Sequence, residues 1–272
     1  MLLLYTHGLG GTPHAQPEIE EVFKPLGYTV VRVAVPFHQS IAELVTRLAT
    51  ASFGDMCNWV DQGANNLIAA AQQTAPQPYV VVGDSLGGFI SLVAAERDPR
   101  ISHCVLLACS GDFCDAMTRL DQLNPALGLI AGNLSVDGKG GIKAQALSAI
   151  AGHSDFQREF DLINTFQPDR LARLCPVLML GDRRDPVAPE SVCLHFAQLA
   201  RSAAVRMVYD EGRHHAIGKT ALERYAVPFL QGLSAPPISS ERDRGAPALS
   251  AVRNAIARLF RRAASGRPRR PR

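Results

Sequence analysis

Short runs of apolar residues alternate along the chain with longer stretches in which apolar residues recur at helical spacing. Within the short runs almost every position is apolar, whereas a strand with one face in water would alternate apolar and polar residues. Such strands, alternating with helices, are typical of a parallel sheet that helices cover on both faces. The runs predict an α/β fold with strands at Leu2–Thr6, Tyr28–Val35, Tyr79–Asp84, His103–Ser110, Pro176–Asp182 and Ala203–Asp210. The helical spacing predicts helices at Pro17–Leu26, Asp55–Gln73, Gly87–Arg97 and Lys219–Leu233.

Two regions depart from this alternation. The stretch 112–170 is less regular, and we expect a small cap-like excursion over the carboxyl ends of the strands. After Leu233 the chain becomes rich in proline, serine and arginine, a composition typical of linkers and disordered segments. The sequence thus predicts one α/β domain over residues 1–233 and a separate tail over residues 234–272.

The tail carries the positive charge of the chain. It holds ten arginines and two acidic residues, a net charge of +8, so the overall charge of +3 leaves −5 for the body. Apolar residues recur at helical spacing among the arginines of 249–260, a pattern that favours a basic amphipathic helix. Such a helix binds an anionic membrane surface or a partner weakly. We expect a disordered extension that takes no part in catalysis and binds no specific nucleic acid.

The cysteines and the first residues bear on the cellular compartment. None of the six cysteines belongs to a CxxC pair or has metal-like spacing from a histidine, so we expect reduced thiols and no metal. The opening MLLLYTHGLGG has an apolar run too short for a membrane span, and it lacks the features of a signal peptide. Neither HGLGG nor GDSLGG ends as a phosphate-binding loop does. We therefore expect a cytoplasmic protein without a cofactor.

The strongest chemical signal lies where the third predicted strand meets the helix after it. The segment from Gly83 to Gly87 has the form G-x-S-x-G directly after a strand and before a helix, the context that this motif requires. The two glycines let the backbone turn sharply, which leaves the Ser85 hydroxyl exposed at the positive end of the helix dipole. The amide of Leu86 would point to where an attacked carbonyl oxygen becomes negative. We interpret Ser85 as a nucleophile.

A nucleophilic serine needs a base and a carboxylate that orients the base. After a motif of this kind the expected chain order is serine, then acid, then histidine. The fifth strand leads into GDRRDPVAP, which contains Asp182 and Asp185, and the sixth leads into YDEGRHHAIG, which contains His214 and His215. Both loops begin at carboxyl ends of strands, where open α/β sheets place their sites. The order alone leaves both aspartates and both histidines open.

Together these segments resemble the α/β-hydrolase superfamily, and more narrowly small bacterial serine esterases similar to dienelactone hydrolases and prolyl-oligopeptidase-type hydrolases. HGLGG resembles the oxyanion loop of the family, GYTVVRVAVPFHQS its next strand, GDSLGG its nucleophile elbow, GDRRDPVAP its acid loop and EGRHHAIG its histidine loop. The resemblance covers residues 1–233 and implies an α/β-hydrolase fold, with a mostly parallel sheet of about six strands. Because His-Gly already occurs at residue 7, we expect the first two strands of the full family sheet to be missing.

The resemblance also implies which acid is used. In the family the acid is the aspartate followed by a short apolar-Val-Pro pattern, which selects Asp185. Asp182 would then cap its own loop through the backbone, a common role for aspartate. Asp112 and Asp115, just after the fourth strand, form a secondary candidate, because some relatives place the acid there.

The family's histidine stands three residues after a glycine. Counting from Gly212 therefore implies His215 as the base, with His214 as the alternative.

The family's second oxyanion donor is the amide after His-Gly, which here belongs to Leu9 and would act beside the amide of Leu86. His7 and Gly8 would support this loop, with His7 as a brace and not as a base.

These residues imply hydrolysis of small carboxylic esters through an acyl-enzyme on a Ser-His-Asp triad. A thioesterase or an acyltransferase would use the same triad, because only the group that attacks the acyl-enzyme differs. The resemblance also permits a peptidase. A binding protein without catalysis is the alternative from a different class, and the complete set of triad residue types argues against it.

Overall fold

In the computed structural model, six parallel strands form one sheet. The structure describes residues 1–9, 11–38, 53–74, 78–113, 115–116, 119, 163–164, 168–200, 203–208 and 217–232. The strands are β1 (Leu2–Thr6), β2 (Thr29–Val33), β3 (Tyr79–Asp84), β4 (Ile101–Leu107), β5 (Val177–Asp182) and β6 (Ala203–Val208). Their order is β2-β1-β3-β4-β5-β6, and each neighbouring pair is parallel. The predicted α/β architecture with about six strands is confirmed.

Two strands end earlier than predicted. β2 was expected to reach Val35, but the N–H of Val35 donates to Nε2 of His7 at 3.2 Å and not to a neighbouring strand. β4 was expected to continue past Leu107, but Ala108 has a φ of 47°, in the left-handed region that cannot continue a strand. In both cases the backbone leaves the strand geometry at the carboxyl edge of the sheet.

The four predicted helices lie where the apolar spacing placed them, with shifts of one or two residues at most of their ends, whereas the helices at Pro168–Leu171 and Glu190–Leu199 were not predicted. A 3₁₀ turn at Lys24–Leu26 follows the first helix, and Gly27, with a φ of 85°, ends it. Among the described residues the helices are α1 (Glu18–Phe23), α2 (Phe53–Thr74), α3 (Leu86–Arg97), α4 (Pro168–Leu171), α5 (Glu190–Leu199) and α6, which runs through Lys219–Ala221, Leu222–Ala226 and Val227–Leu230.

The strands are apolar on both faces because each face meets a layer of helices. Successive residues of β1 alternate between the two cores: Leu2 and Leu4 belong to one, and Leu3 and Tyr5 belong to the other. Helices α2, α3 and α5 cover the first face through Val60, Ile90, Val93 and Phe196. Helices α1 and α6 cover the second face through Ile19, Phe23, Leu222 and Tyr225. This two-sided burial explains the continuous apolar runs in the sequence.

All six strands point the same way, so their carboxyl ends meet at one edge of the sheet. The segments after β1, β2, β3, β4 and β5 are described there. Most of the predicted cap-like excursion 112–170 and all of the tail 234–272 lie outside the described residues, so both stay predictions. No helix within the described ranges is long and apolar enough to cross a membrane.

Candidate active site

Ser85 lies at the turn between β3 and α3. Its backbone has a φ of 50° and a ψ of −111°, a strained conformation that costs a non-glycine residue roughly 1–3 kcal/mol. The N–H of Ser85 donates to the carbonyl oxygen of Leu107 at 2.8 Å, and the N–H of Gly88 donates to the carbonyl oxygen of Ser85 at 2.9 Å. The serine is thus held in a sharp strand-to-helix turn.

The two outer glycines of the motif are required by close approach of the backbone. A Cβ at Gly83 would lie 2.1 Å from the carbonyl oxygen of Gly87, and a Cβ at Gly87 would lie 2.2 Å from the carbonyl oxygen of Thr6. Carbon and oxygen atoms do not approach so closely without overlap. Because Gly83 and Gly87 have no side chains, α3 can begin directly against the carboxyl end of β1.

Leu86 is the first residue of the twelve-residue helix α3, and its side chain is buried. The N–H groups in the first turn of a helix have no partner inside that helix, and the helix dipole places partial positive charge there. The amide proposed as one oxyanion donor therefore lies at the positive end of a helix.

The loop after β1 contacts the serine directly. A Cβ at Gly8 would lie 3.1 Å from Cβ of Ser85, so only a residue without a side chain fits without displacing the serine. The N–H of Gly11 donates to the carbonyl oxygen of Gly8 at 3.0 Å and closes a turn. Leu9, whose amide is the other proposed oxyanion donor, packs partly buried against the core. The structure therefore brings the predicted oxyanion loop beside Ser85.

His7 is fully buried and ties this loop to the end of β2. Its Nε2 accepts the N–H of Val35 at 3.2 Å, so the ring proton is on Nδ1 and is donated to the carbonyl oxygen of Gly8 at 2.9 Å. Burial, with a smaller contribution from the neighbouring His38, lowers the pKa of His7 to about 4. Because both ring nitrogens are occupied and the ring stays neutral, His7 acts as a brace.

Three non-glycine residues of the described chain have positive φ: Phe37 at 62°, Ser85 at 50° and Ala108 at 47°. Each follows a strand at its carboxyl end: Phe37 after β2, Ser85 after β3 and Ala108 after β4. Strained backbone of this kind clusters at functional sites because the surrounding structure must hold it in place. Of the three, the sequence motif identified Ser85 alone.

Asp185 lies three residues beyond β5, and its side chain is buried. Its Oδ1 accepts the N–H of Val187 at 2.8 Å and the N–H of Ala188 at 3.1 Å. Its own N–H donates to the carbonyl oxygen of Asp182 at 2.9 Å. The carboxylate is thus fixed by its own loop at the same edge of the sheet as Ser85.

The other candidate acids make different contacts. The Oδ1 atom of Asp182 accepts the N–H of Arg184 at 2.8 Å, and Oδ2 pairs with the guanidinium of the same arginine at 3.1 Å. Asp112 accepts the N–H of Asp115 at 2.9 Å, and Asp115 pairs with Arg119 at 2.6 Å. Asp182 and Asp115 thus each pair with an arginine close to them in the chain.

The two candidate histidines, His214 and His215, lie outside the described residues. The residues on either side of that segment are described. The carbonyl oxygen of Val208, at the end of β6, accepts the N–H of Arg183 at 2.9 Å. The carbonyl oxygen of Ile217, which is fully buried, accepts Nε2 of Gln16 at 2.8 Å.

Sequence analysis missed Gln16, which connects the loop after β1 to Ile217. The residue stands just before the first predicted helix, where a polar side chain ordinarily suggests a helix cap. A glutamine one position before a proline carries no motif or periodicity that would reveal a contact 201 residues away.

The cysteines near the site are unreactive. Burial, with a smaller contribution from the charge of Asp185, raises the pKa of Cys193 to about 12. Burial also raises the pKa of Cys109, which lies against the start of α3. Thiols with such pKa values are not thiolates at neutral pH and are poor nucleophiles. The five cysteines in the described part of the chain are free thiols: Cys57, Cys104, Cys109, Cys175 and Cys193.

Comparison with known proteins gives a partial sequence match and several structural matches. No protein-family model matches the chain. A thermostable monoacylglycerol lipase from Bacillus sp. (strain H-257) is 30% identical over 111 residues. The match spans 41% of this chain and 41% of that protein, so about two fifths of the relative is covered.

The structural matches extend over most of the chain. Est1E from Butyrivibrio proteoclasticus has a TM-score of 0.56 at 12% identity, over 85% of this chain and 87% of its own. Est1E with bound ferulic acid and a lipase in its open form each have a TM-score of 0.55 at 15% identity, over 85% of this chain and 89% of theirs. At these identities the likeness concerns the fold.

Proposed function

We propose that this chain, which has the α/β-hydrolase fold, is a serine hydrolase that cleaves carboxylic esters through an acyl-enzyme on Ser85. One observation carries the proposal. Ser85 has the strained geometry of a nucleophile elbow, with the glycine loop after β1 packed against it and a helix N-terminus directly behind it. This arrangement supports attack on a carbonyl carbon and stabilisation of the oxyanion that forms.

In the first step His215, with His214 as the alternative, accepts the proton of the Ser85 hydroxyl. The serine oxygen attacks the ester carbonyl and forms a tetrahedral intermediate. The same histidine then donates its proton to the alcohol oxygen as the C–O bond breaks, which leaves an ester on Ser85. Water repeats these steps on the acyl-enzyme and releases the acid.

The amides of Leu9 and Leu86 stabilise the oxyanion. The contact between Gly8 and Ser85 supports this role for Leu9, and the position of Leu86 at the first turn of α3 supports the other donor. Preorganised donors of this kind each contribute roughly a hundredfold to a thousandfold in rate.

Asp185 orients the histidine and stabilises its protonated form. The two backbone N–H groups that bind Oδ1 set the direction of the carboxylate. Asp182 has less freedom for this role because Arg184 binds both of its oxygens.

Carboxylic esters are the substrate class that we propose. The curated relative is named as a monoacylglycerol lipase, an enzyme that acts on an ester of glycerol, which supports this class. The narrower likeness to dienelactone hydrolases stays a prediction. Thioester hydrolysis and acyl transfer would use the same residues, and a panel of oxygen esters, thioesters and anilides with an added alcohol would separate them by their products.

The experiment that tests the proposal is Ser85→Ala with Ser91→Ala as a matched control. Ser91 is a buried serine in α3, the helix that begins directly after Ser85. Its Oγ has no hydrogen-bond partner among the described residues. We expect Ser85→Ala to lose at least about a thousandfold in kcat/KM on a short p-nitrophenyl ester and to lose labelling by a fluorophosphonate. Ser91→Ala should keep both. Equal rates for wild type and Ser85→Ala would overturn the proposal, and an unlabelled wild type would favour a binding protein.

A further inference from the structure

We propose that Phe37 determines which esters fit this site, because its side chain and that of Leu9 form an apolar wall beside Ser85 for the aliphatic chain of the substrate. The inference rests on the proposed function and narrows its substrate class to esters that carry such a chain. Its basis is the strained backbone at Phe37, the packing of its ring and the distribution of charge along the carboxyl edge of the sheet.

The backbone of Phe37 indicates that the ring itself is needed. Its φ of 62° lies in the left-handed region, which a bulky side chain rarely adopts. Glycine adopts this conformation without strain, so the turn after β2 would form more easily with a glycine at this position. The benefit of a phenylalanine there therefore comes from its side chain and not from its backbone.

The ring of Phe37 packs against Trp59 of α2, with the ring centres 5.5 Å apart. Trp59 is buried in the core of the α2–α3 face, whereas Phe37 is only partly buried against that core. Part of Phe37 therefore stays accessible at the carboxyl edge of the sheet, on a support that fixes the direction of its ring.

Hydrogen bonds connect the segment of Phe37 to the oxyanion loop. The N–H of Val35 donates to Nε2 of His7 at 3.2 Å, and the N–H of His38 donates to the carbonyl oxygen of Val35 at 3.2 Å. The ring centres of His7 and His38 lie 5.4 Å apart. Leu9, two residues beyond His7, packs partly buried against the same core as Phe37. The two side chains of the apolar wall are thus held by segments that contact each other.

Leu9 places the apolar wall beside the reacting atoms. A Cβ at Gly8 would lie 3.1 Å from Cβ of Ser85, so the loop that carries Leu9 adjoins the serine. The amide of Leu9 is a proposed oxyanion donor, and a bound carbonyl oxygen would lie about 3 Å from its nitrogen. A chain that leaves this carbonyl on the β1 side meets Leu9 first and Phe37 beyond it, because β1 lies between β3 and β2.

The two sides of Ser85 differ in polarity. In the sheet order, the segments after β1 and β2 lie on one side of Ser85 and those after β4 and β5 on the other. The partly exposed residues of 34–38 are Ala34 and Phe37, which are both apolar. Most residues of 108–119 and 183–190 that are described and not buried are charged: Asp112, Asp115, Arg119, Arg183, Arg184 and Glu190. An aliphatic chain is therefore favoured on the β1–β2 side, since contact with apolar groups is favourable and covering charged groups is costly.

The test compares Phe37→Gly with Phe229→Ala in the full chain. Phe37→Gly deletes the ring and leaves a residue that adopts a φ of 62° without strain. Phe229 is another partly buried phenylalanine, and its ring lies edge-on to His103 in the first half of β4, away from the carboxyl edge. Phe229→Ala deletes the same ring from a helix, where alanine is favoured. The two variants thus lose the same group, one beside Ser85 and one far from it.

The readout is kcat/KM on p-nitrophenyl acetate and p-nitrophenyl octanoate, each below the concentration at which it forms micelles. Each methylene group that leaves water for an apolar surface contributes up to about a fourfold factor. We expect wild type to prefer octanoate by at least about tenfold, and Phe37→Gly to lose at least about fivefold more on octanoate than on acetate. Phe229→Ala should keep the preference of wild type.

A second series of substrates, ethyl acetate and octyl acetate, shows which chain of the ester meets the apolar wall. A loss confined to p-nitrophenyl octanoate identifies the acyl chain, and a loss confined to octyl acetate identifies the alcohol chain. Phe37→Leu keeps an apolar side chain and should retain most of the preference, whereas Phe37→Asn, which is polar and tolerates a positive φ, should lose it. If Phe37→Gly fails to fold, these two variants provide the same comparison.

The inference is overturned if wild type has no preference for the longer chain in either series, or if Phe37→Gly keeps that preference. It is also overturned if Phe37→Leu and Phe37→Asn behave alike, or if the rates on all esters fall together with the unfolding temperature, as loss of a merely structural contact would cause. Those outcomes leave the proposed function intact, provided that wild type hydrolyses the esters and Ser85→Ala does not. If wild type shows no hydrolysis that depends on Ser85, the proposed function fails, and this inference fails with it.

Discussion

The two halves of the candidate site are held in place by different forces. Around Ser85 the backbone of β1, β3 and α3 approaches so closely that Gly83 and Gly87 have no room for a single carbon atom. Around Asp185 the chain has ordinary side chains, and the carboxylate is positioned by hydrogen bonds from two N–H groups of its own loop. The half around Ser85, the proposed nucleophile half, is therefore defined by steric contact, and the half around Asp185, the proposed acid half, by polar contact.

This difference predicts different responses to substitution. Steric contact in a close-packed interior tolerates almost no added volume, so a change there acts on the fold as a whole. A hydrogen-bonded carboxylate can be replaced by an amide of the same shape, so a change there can alter the chemistry while the fold remains.

The largest effect is expected from Gly83→Ala. The added Cβ would lie 2.1 Å from the carbonyl oxygen of Gly87 and 2.5 Å from Oγ of Ser91, so β3 and α3 must separate. We expect loss of the cooperative thermal transition or a drop in unfolding temperature together with loss of esterase activity. The control is Gly27→Ala, where a Cβ meets nothing within 4 Å and only the φ of 85° is unfavourable, a cost of about 1 kcal/mol. Equal stability of the two variants would contradict the steric account of the nucleophile half.

Asp185→Asn is expected to have the next largest effect, and on activity alone. The amide oxygen can still accept the N–H groups of Val187 and Ala188, so the loop should fold as before. The negative charge that stabilises the protonated base is lost, and kcat should fall by about a hundredfold to ten-thousandfold. Asp182→Asn, which weakens the contact with Arg184, is the control and should lower stability more than kcat. The reverse pattern would make Asp182 the acid.

The smallest effect is expected from the protonation of His7, which makes the free energy of unfolding depend on pH. Its pKa is about 4 in the folded protein, against 6.5 for an ordinary histidine, so the unfolded chain takes up the proton first. The stability that neutral His7 provides is complete above about pH 6.5 and is lost as the pH falls towards 4, by up to about 3 kcal/mol. The free energy of unfolding, measured with urea, should decline less between about pH 7 and about pH 4.5 in His7→Asn than in wild type. A decline of equal size would mean that His7 is not the titrating group.

Much of the fold could be predicted because local sequence signals and global architecture agree. The apolar run at Tyr79–Asp84 and the G-x-S-x-G after it require a strand followed by a sharp turn and a helix, and the structure has all three. Gly27 correctly marks the end of the helical segment from Glu18 to Leu26. Such signals are readable because each depends on residues close together in the chain.

Other features could not be predicted because their partners are distant. Val35 leaves β2 to bind His7, and Ala108 takes a left-handed conformation where β4 was expected to continue. Gln16 reaches Ile217 across 201 positions of sequence. None of these residues carries a local pattern, since the contact that determines its conformation exists only after the sheet has formed.

The sequence by itself determined the six strands, the helices around them apart from α4 and α5, the two-sided burial of the sheet and the position of the serine turn. These follow from apolar periodicity and from glycine spacing, which act over a few residues. Only the tertiary structure decided which aspartate is bound to an arginine, which backbone groups His7 contacts and which buried amide links the loop after β1 to Ile217. The physical reason is that hydrogen bonds and burial shift the properties of a polar side chain only when distant segments enclose it.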